Sequence, residues 1–146
     1  MTSSAWVVDA NVALKLVLAQ PLSDKADALF DRLHDEADAQ FYVPDLFYAE
    51  IASVLVTQTR LPTIKMPVAE AQQALADLKA LNLIVTASKV LVEAAFKIAT
   101  QLRMSGYDAI YVALSKQVGA PLVTADAKLV NALKSSSYDV RWLGSL

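Results

Sequence analysis

The chain has 146 residues, 55% hydrophobic and 19% charged, which is one ordinary domain's worth and too apolar for a disordered chain. A net charge of −2 gives no basic signature of nucleic-acid binding, while the lack of cysteine and a single histidine, His34, exclude disulfides, thiolate sites and imidazole-rich zinc sites. Apolar stretches such as Val12–Ala19, with Lys15 inside it, are too short or interrupted to span a bilayer, and Met-Thr-Ser-Ser-Ala-Trp does not resemble a signal peptide, so a cytoplasmic location is expected.

Trp6-Val7-Val8, ending at Asp9, predicts a buried strand, and Asn11 to Ala19 predicts a helix stopped by Pro21. Ser23 is placed to cap a helix through Ala37, in which Ala26, Leu29, Phe30 and Leu33 fall at helical spacing. Phe41-Tyr42-Val43 predicts a second strand broken by Pro44, after which Asp45 is expected to cap a helix running to about Arg60. Val68 to Leu81 predicts another helix, begun by Pro67. Leu83-Ile84-Val85 predicts a third strand, and Ser88 is expected to cap a helix reaching Met104. Ser105-Gly106 breaks the pattern before a helix from Asp108 to Val118. Pro121 to Thr124 predicts a fourth strand, Ala127 to Lys134 a helix, and Asp139 to Leu143 a fifth strand. Strands alternating with helices give an α/β class with a parallel sheet. With no repeat or linker, residues 1–146 read as one domain.

In such a sheet ligands collect at the carboxyl ends of the strands. Asp9 follows the first strand and Asp126 the fourth, so both are expected at one edge; Glu50 and Asp108 lie early in the helices that open towards it. Each has a purely structural alternative. Asp9, Asp108 and Asp126 stand at helix starts, where Asp caps orphan amides, and Ser105-Gly106-Tyr107-Asp108 resembles a capping box. Glu50 shares a helical face with Ser53 and Thr57, which reads either as a solvated stripe or as part of a site. Four acids at one mouth would repel one another unless a cation offset their charge, and oxygen ligands of this kind suit Mg2+. His34, among Asp31, Asp35, Glu36 and Asp38, reads as a surface residue.

The segments Val7-Val8-Asp9-Ala10-Asn11-Val12, Ala49 to Leu55, Tyr107 to Leu114 and Leu122-Val123-Thr124-Ala125-Asp126 resemble the successive motifs of PIN-domain proteins, above all the VapC-type toxins of type II toxin–antitoxin systems. The resemblance covers essentially the whole chain. It implies a three-layer α/β/α fold on a parallel sheet of four to five strands, and RNA cleavage dependent on Mg2+ or Mn2+. It aligns Asp9, Glu50, Asp108 and Asp126 with the acidic, metal-binding catalytic positions, and Asn11 and Thr124 with supporting polar positions. Ser53 stands where relatives often carry Asn, keeping a hydroxyl but no amide. A homodimer and a cognate antitoxin partner are implied as well.

Other readings are a PIN-domain RNA-processing nuclease that is not a toxin, a catalytically silent PIN-like module, and a haloacid-dehalogenase-like phosphohydrolase. The last also begins with a strand and Asp-x-Asp, but Asn11 replaces its second Asp here. A receiver-like phosphoacceptor would need its Asp where Phe41-Tyr42-Val43-Pro44-Asp45 is a poor match.

Overall fold

The computed structural model describes residues 4–146. The apolar run before Asp9 forms strand β1 (Ala5–Val8), followed by the short helix α1 (Ala10–Ala13) and helix α2 (Ser23–Asp35). Strand β2 (Gln40–Pro44) leads into helices α3 (Leu46–Gln58) and α4 (Val68–Lys79), and strand β3 (Ile84–Thr86) into α5 (Val92–Leu102) and α6 (Gly106–Val118). Strand β4 (Leu122–Thr124), helix α7 (Ala127–Leu133) and strand β5 (Val140–Trp142) complete the order. The strands form one sheet, β3-β2-β1-β4-β5, parallel at every pairing. Its strand order reverses at β1, and there the crevice beyond the strand ends opens.

Alternating residues of the strands feed two apolar layers. Trp6, Val8, Phe41, Val43 and Val123 pack with Phe47, Ile51 and Leu55 of α3 and with Leu29 and Phe30 of α2. Val7 and Leu122 pack on the other side with Ile98 of α5, Tyr111 and Leu114 of α6, and Leu129 and Leu133 of α7. Val7, Val8, Phe41, Val43, Leu122 and Val123 have no exposed surface, and burying a side chain of this size contributes roughly 1.5–3 kcal/mol. A sheet covered on both faces explains why its strands read as continuous apolar runs rather than alternating ones.

Several local expectations change. The helix expected over Asn11 to Ala19 stops at Ala13 and tightens into a 3-10 turn at Leu14–Leu16. There the Leu18 carbonyl is taken by the Ser23 hydroxyl, at 3.1 Å. Ser23 therefore ties down the preceding loop, accepting from the Gln20 amide as well, and the N-cap position of α2 is Leu22 at φ 71°. Asp45 does not cap α3 with its side chain; it accepts from the Ser88 amide at 2.9 Å and from the Ser88 hydroxyl. Two residues expected to cap separate helices thus clip the ends of β2 and β3 together. Ser88 opens only a 3-10 turn (Ser88–Val90), and α5 ends where Arg103 turns left-handed at φ 54°. Pro44 continues β2 instead of breaking it, paired with Thr86. Among the described residues no helix is long and apolar enough to cross a membrane.

Candidate active site

Because β1 and β4 are parallel neighbours, with Val8 beside Val123, the chain leaves both strands at one edge. Asp9 follows there, only 7% exposed, and Thr124 is completely buried beside it. The Thr124 hydroxyl donates to Asp9 Oδ2 at 2.9 Å and accepts from Asn11 Nδ2 at 3.2 Å and from the Asp126 amide at 3.1 Å. Asn11 Oδ1 accepts from the Ala125 amide at 3.0 Å. One hydroxyl and one amide therefore bind the β1 and β4 loops into a single rim that fixes Asp9 and directs the chain at Asp126.

Glu50 and Asp108 reach this rim from α3 and α6, each half-buried. Tyr111 of α6 is 1% exposed and donates its hydroxyl to Glu50 Oε1 at 2.6 Å. Burial pushes the Asp9 carboxyl up to about 7, with the charges of Glu50 and Asp108 acting in the same direction and the Thr124 hydrogen bond opposing them. Burial raises Glu50, opposed by the Tyr111 hydrogen bond and reinforced by Asp108. Burial and the Asp126 charge raise Asp108. Burial first, then the carboxylates Asp9 and Glu50, holds the Tyr111 phenol protonated far above its ordinary range. The four acids are thus electrostatically coupled, with Asp9 and Asp126 as its deepest and most exposed members.

The strand pattern placed Asp9 and Asp126 on one rim with Glu50 and Asp108 facing it, and the resemblance set Asn11 and Thr124 beside them. The structure ties Asp9, Asn11, Thr124 and the Asp126 amide into one hydrogen-bonded rim, with Glu50 and Asp108 close enough for their charges to act on Asp9. Ser53 stays apart. It is exposed on α3, one turn beyond Glu50, and contributes only its carbonyl, to the Thr57 hydroxyl. The solvated stripe holds for Ser53 and Thr57, whereas Glu50 turns inwards to Tyr111. Tyr111 went unassigned in the sequence, although it lies three residues after Asp108 and so on the same helical face. His34 is exposed and bonded to Asp35, as its acidic neighbours suggest.

The donor set is all oxygen, which suits a hard divalent cation. Among the described residues no three acidic or imidazole side chains are grouped closely enough to enclose an ion. Mg2+ asks for less, because it keeps several waters and takes one or two carboxylates together with substrate phosphate oxygens. A coupled carboxylate set with one member titrating near neutrality fits that kind of shared, partly hydrated binding.

A family model described as PIN domain matches residues 6–133. Among solved structures, the chain is similar to PAE2754 of Pyrobaculum aerophilum, with a TM-score of 0.70 and 20% identity over 97% of this chain and 85% of that one. It is also similar to VapBC2 of Rickettsia felis, solved bound to a DNA fragment from its promoter, with a TM-score of 0.67 and 12% identity over 94% of this chain and 98% of the other. FitAcB of Neisseria gonorrhoeae gives a TM-score of 0.61 and 17% identity over 97% and 99%. These likenesses establish the fold. No curated protein matches the sequence.

Proposed function

The chain belongs to the PIN domain family, and from that premise we propose that it is a divalent-metal-dependent endoribonuclease of a single nuclease domain, the toxin of a VapBC-type toxin–antitoxin pair. The observation that carries the reading is the nearly buried Asp9, held by the Thr124 hydroxyl at 2.9 Å on the rim that Asn11 and the Asp126 amide share, where the charges of Glu50 and Asp108 add to burial in raising its carboxyl. A cluster so costly to charge is stabilised by a cation, and one or two carboxylates of the set Asp9, Glu50, Asp108 and Asp126 would hold a partly hydrated Mg2+ or Mn2+ there. When bound, such an ion lowers the pKa of a coordinated water and offsets charge on phosphate oxygens.

The chain's own groups do the positioning. Thr124 fixes one oxygen of Asp9, and Asn11 holds Thr124 and the Ala125 amide. Tyr111 holds Glu50 Oε1, leaving Oε2 to meet a ligand or a proton. Asp126 stands exposed at the outer rim, where an incoming phosphodiester meets the cluster first. The net charge of −2 is consistent with this arrangement, because a cation then bridges acidic protein and anionic substrate. The toxin assignment draws on the motif resemblance and on structural likeness to VapBC2 of Rickettsia felis and to a toxin–antitoxin complex of Klebsiella pneumoniae. With it go a cytoplasmic location, a homodimer and an antitoxin that covers the mouth.

The test is RNA cleavage by purified protein with and without Mg2+ or Mn2+, alongside Asp9→Asn and Asp126→Asn. Cleavage that needs the metal and is lost in both variants supports the reading. Cleavage unchanged in both variants, or hydrolysis of phosphate monoesters without RNA cleavage, overturns it. Growth arrest on expression, relieved by the product of an adjacent reading frame, separates a toxin from a processing nuclease.

A further inference from the structure

Strand β5 ends at Trp142, whose register partner is Thr124, the residue bonded to Asp9 and to the Asp126 amide. Register partners in a parallel pair lie about 4.8 Å apart and send their side chains to the same face of the sheet. The indole therefore leaves the sheet one strand beyond the carboxylate rim, on the face from which Thr124 reaches Asp9.

The ring is also held in place. A Cβ built on Gly144 would lie 2.5–2.7 Å from Cη2, Cζ2 and Cζ3 of Trp142, so the six-membered ring rests on the bare backbone at 144, beyond the strand end. Trp142 is 39% exposed and belongs to neither apolar layer, whereas the second tryptophan, Trp6, is 5% exposed in the core. The adjacent cation does not cover it, since Arg141 lies over the Trp6 ring at 5.4 Å and pairs with Asp139. What remains is a partly exposed aromatic plane, seated on the backbone at 144, at the same edge as the four acids.

The geometry points to Trp142 as a stacking platform for an unpaired base of single-stranded RNA, flanking the phosphate that meets the carboxylates. This rests on the nuclease reading above and adds where the substrate is gripped. An acidic mouth repels phosphate, so an uncharged contact gives affinity that does not depend on the cation. Aromatic stacking supplies it without sequence preference, because every base has a π face.

The experiment titrates the protein with a labelled single-stranded oligoribonucleotide of mixed sequence in Ca2+, following label anisotropy and tryptophan emission together. Trp142 and Trp6 are the chain's two tryptophans, so quenching of the exposed one reads the contact directly. Binding is expected to quench that emission. Trp142→Ala should weaken it by roughly 5- to 150-fold (~1–3 kcal/mol) and Trp142→Phe should restore most of it, with both variants melting as the parent does. In Mg2+ the alanine variant should raise KM with kcat unchanged. Binding without quenching, or equal affinity of the alanine variant, overturns the inference and leaves the nuclease reading intact, with the indole then facing a protein partner. If the parent protein neither binds nor cleaves the oligonucleotide, the nuclease reading fails and this inference fails with it.

Discussion

The Tyr111 hydroxyl donates to Glu50 Oε1 at 2.6 Å, joining the middle of α6 to an early turn of α3 across the carboxylate mouth. Tyr111 is 1% exposed, so its ring is set by packing and its hydroxyl by this one acid. A partner of this kind fixes the orientation of a ligating group, and its loss typically lowers metal affinity about 10- to 100-fold. Tyr111→Phe keeps the ring and removes the donor. It is expected to weaken Mn2+ binding by about tenfold, measured by calorimetric titration, while the melting temperature moves little. Glu50→Gln combined with Tyr111→Phe should weaken binding no more than Glu50→Gln alone. An additive double variant would show that the two residues act separately.

The buried Asp9 gives the metal-free protein an unusual pH dependence. Its carboxyl lies at about 7 when folded and near 3.8 when unfolded, so between these values the native state binds the extra proton. Stability from this group is fully present below about 3.8 and is lost as pH rises through 7. The shift corresponds to about 4 kcal/mol, and the raised Glu50 and Asp108 carboxyls act in the same sense. Urea melts in a chelator should therefore show falling stability from pH 5 to pH 8. Mg2+ should recover it at pH 8 by binding only the folded state. Asp9→Asn should flatten the slope; an unchanged slope in that variant would assign the effect elsewhere.

Thr124 carries more than its size suggests. From a fully buried position its hydroxyl donates to Asp9 and accepts from Asn11 and the Asp126 amide, both of them partly buried contacts. Thr124→Val keeps the shape and leaves those groups short of a partner, at about 1–3 kcal/mol for each buried group left unsatisfied. We expect a loss of about 2–3 kcal/mol in denaturant melts and a further rise of the Asp9 pKa, read by NMR titration of its carboxyl carbon. Thr124→Ser should retain both properties largely intact.

Much of this was legible in the sequence because it is written locally. Apolar runs such as Trp6-Val7-Val8 and Leu122-Val123 mark buried strands, and an acid directly after the first strand and one residue beyond the fourth falls at the strand ends whatever the details of packing. The sequence could not show what the two caps would do. Asp45 and Ser88 are both good capping residues by type, but β2 and β3 bring them together from 43 positions apart, and each finds the other instead of its own helix. The same holds for Tyr111: its spacing from Asp108 was visible, but its bond to Glu50 spans 61 positions and depends on how α3 and α6 meet. Ser53 lies apart from the rim because it is exposed on α3, one turn beyond Glu50, whereas Asn11 and Thr124, set beside the site by the same resemblance, are bonded within it. Non-local polar pairs are the part of a site that local pattern does not encode.

Capping and chemistry can be separated on the remaining acids. Helix α6 is capped by Ser105, whose hydroxyl accepts from the Tyr107 amide at 3.1 Å and the Asp108 amide at 3.4 Å, so Asp108 is free of that duty. Ser105→Ala should cost about 1 kcal/mol of stability and leave RNA cleavage intact. Asp108→Asn should abolish cleavage and leave stability equal or higher, since it removes a charge that burial and Asp126 both disfavour. Asp126 holds both roles: its Oδ1 accepts from the Lys128 and Leu129 amides at 2.9 and 3.4 Å at the start of α7. Asn caps as well as Asp does, so Asp126→Asn should keep the fold's stability and lose activity, whereas Asp126→Ala should lose activity and about 1 kcal/mol as well. Full activity in a stable Asp126→Asn protein would make Asp126 a cap and nothing more, leaving Asp9, Glu50 and Asp108 as the working set.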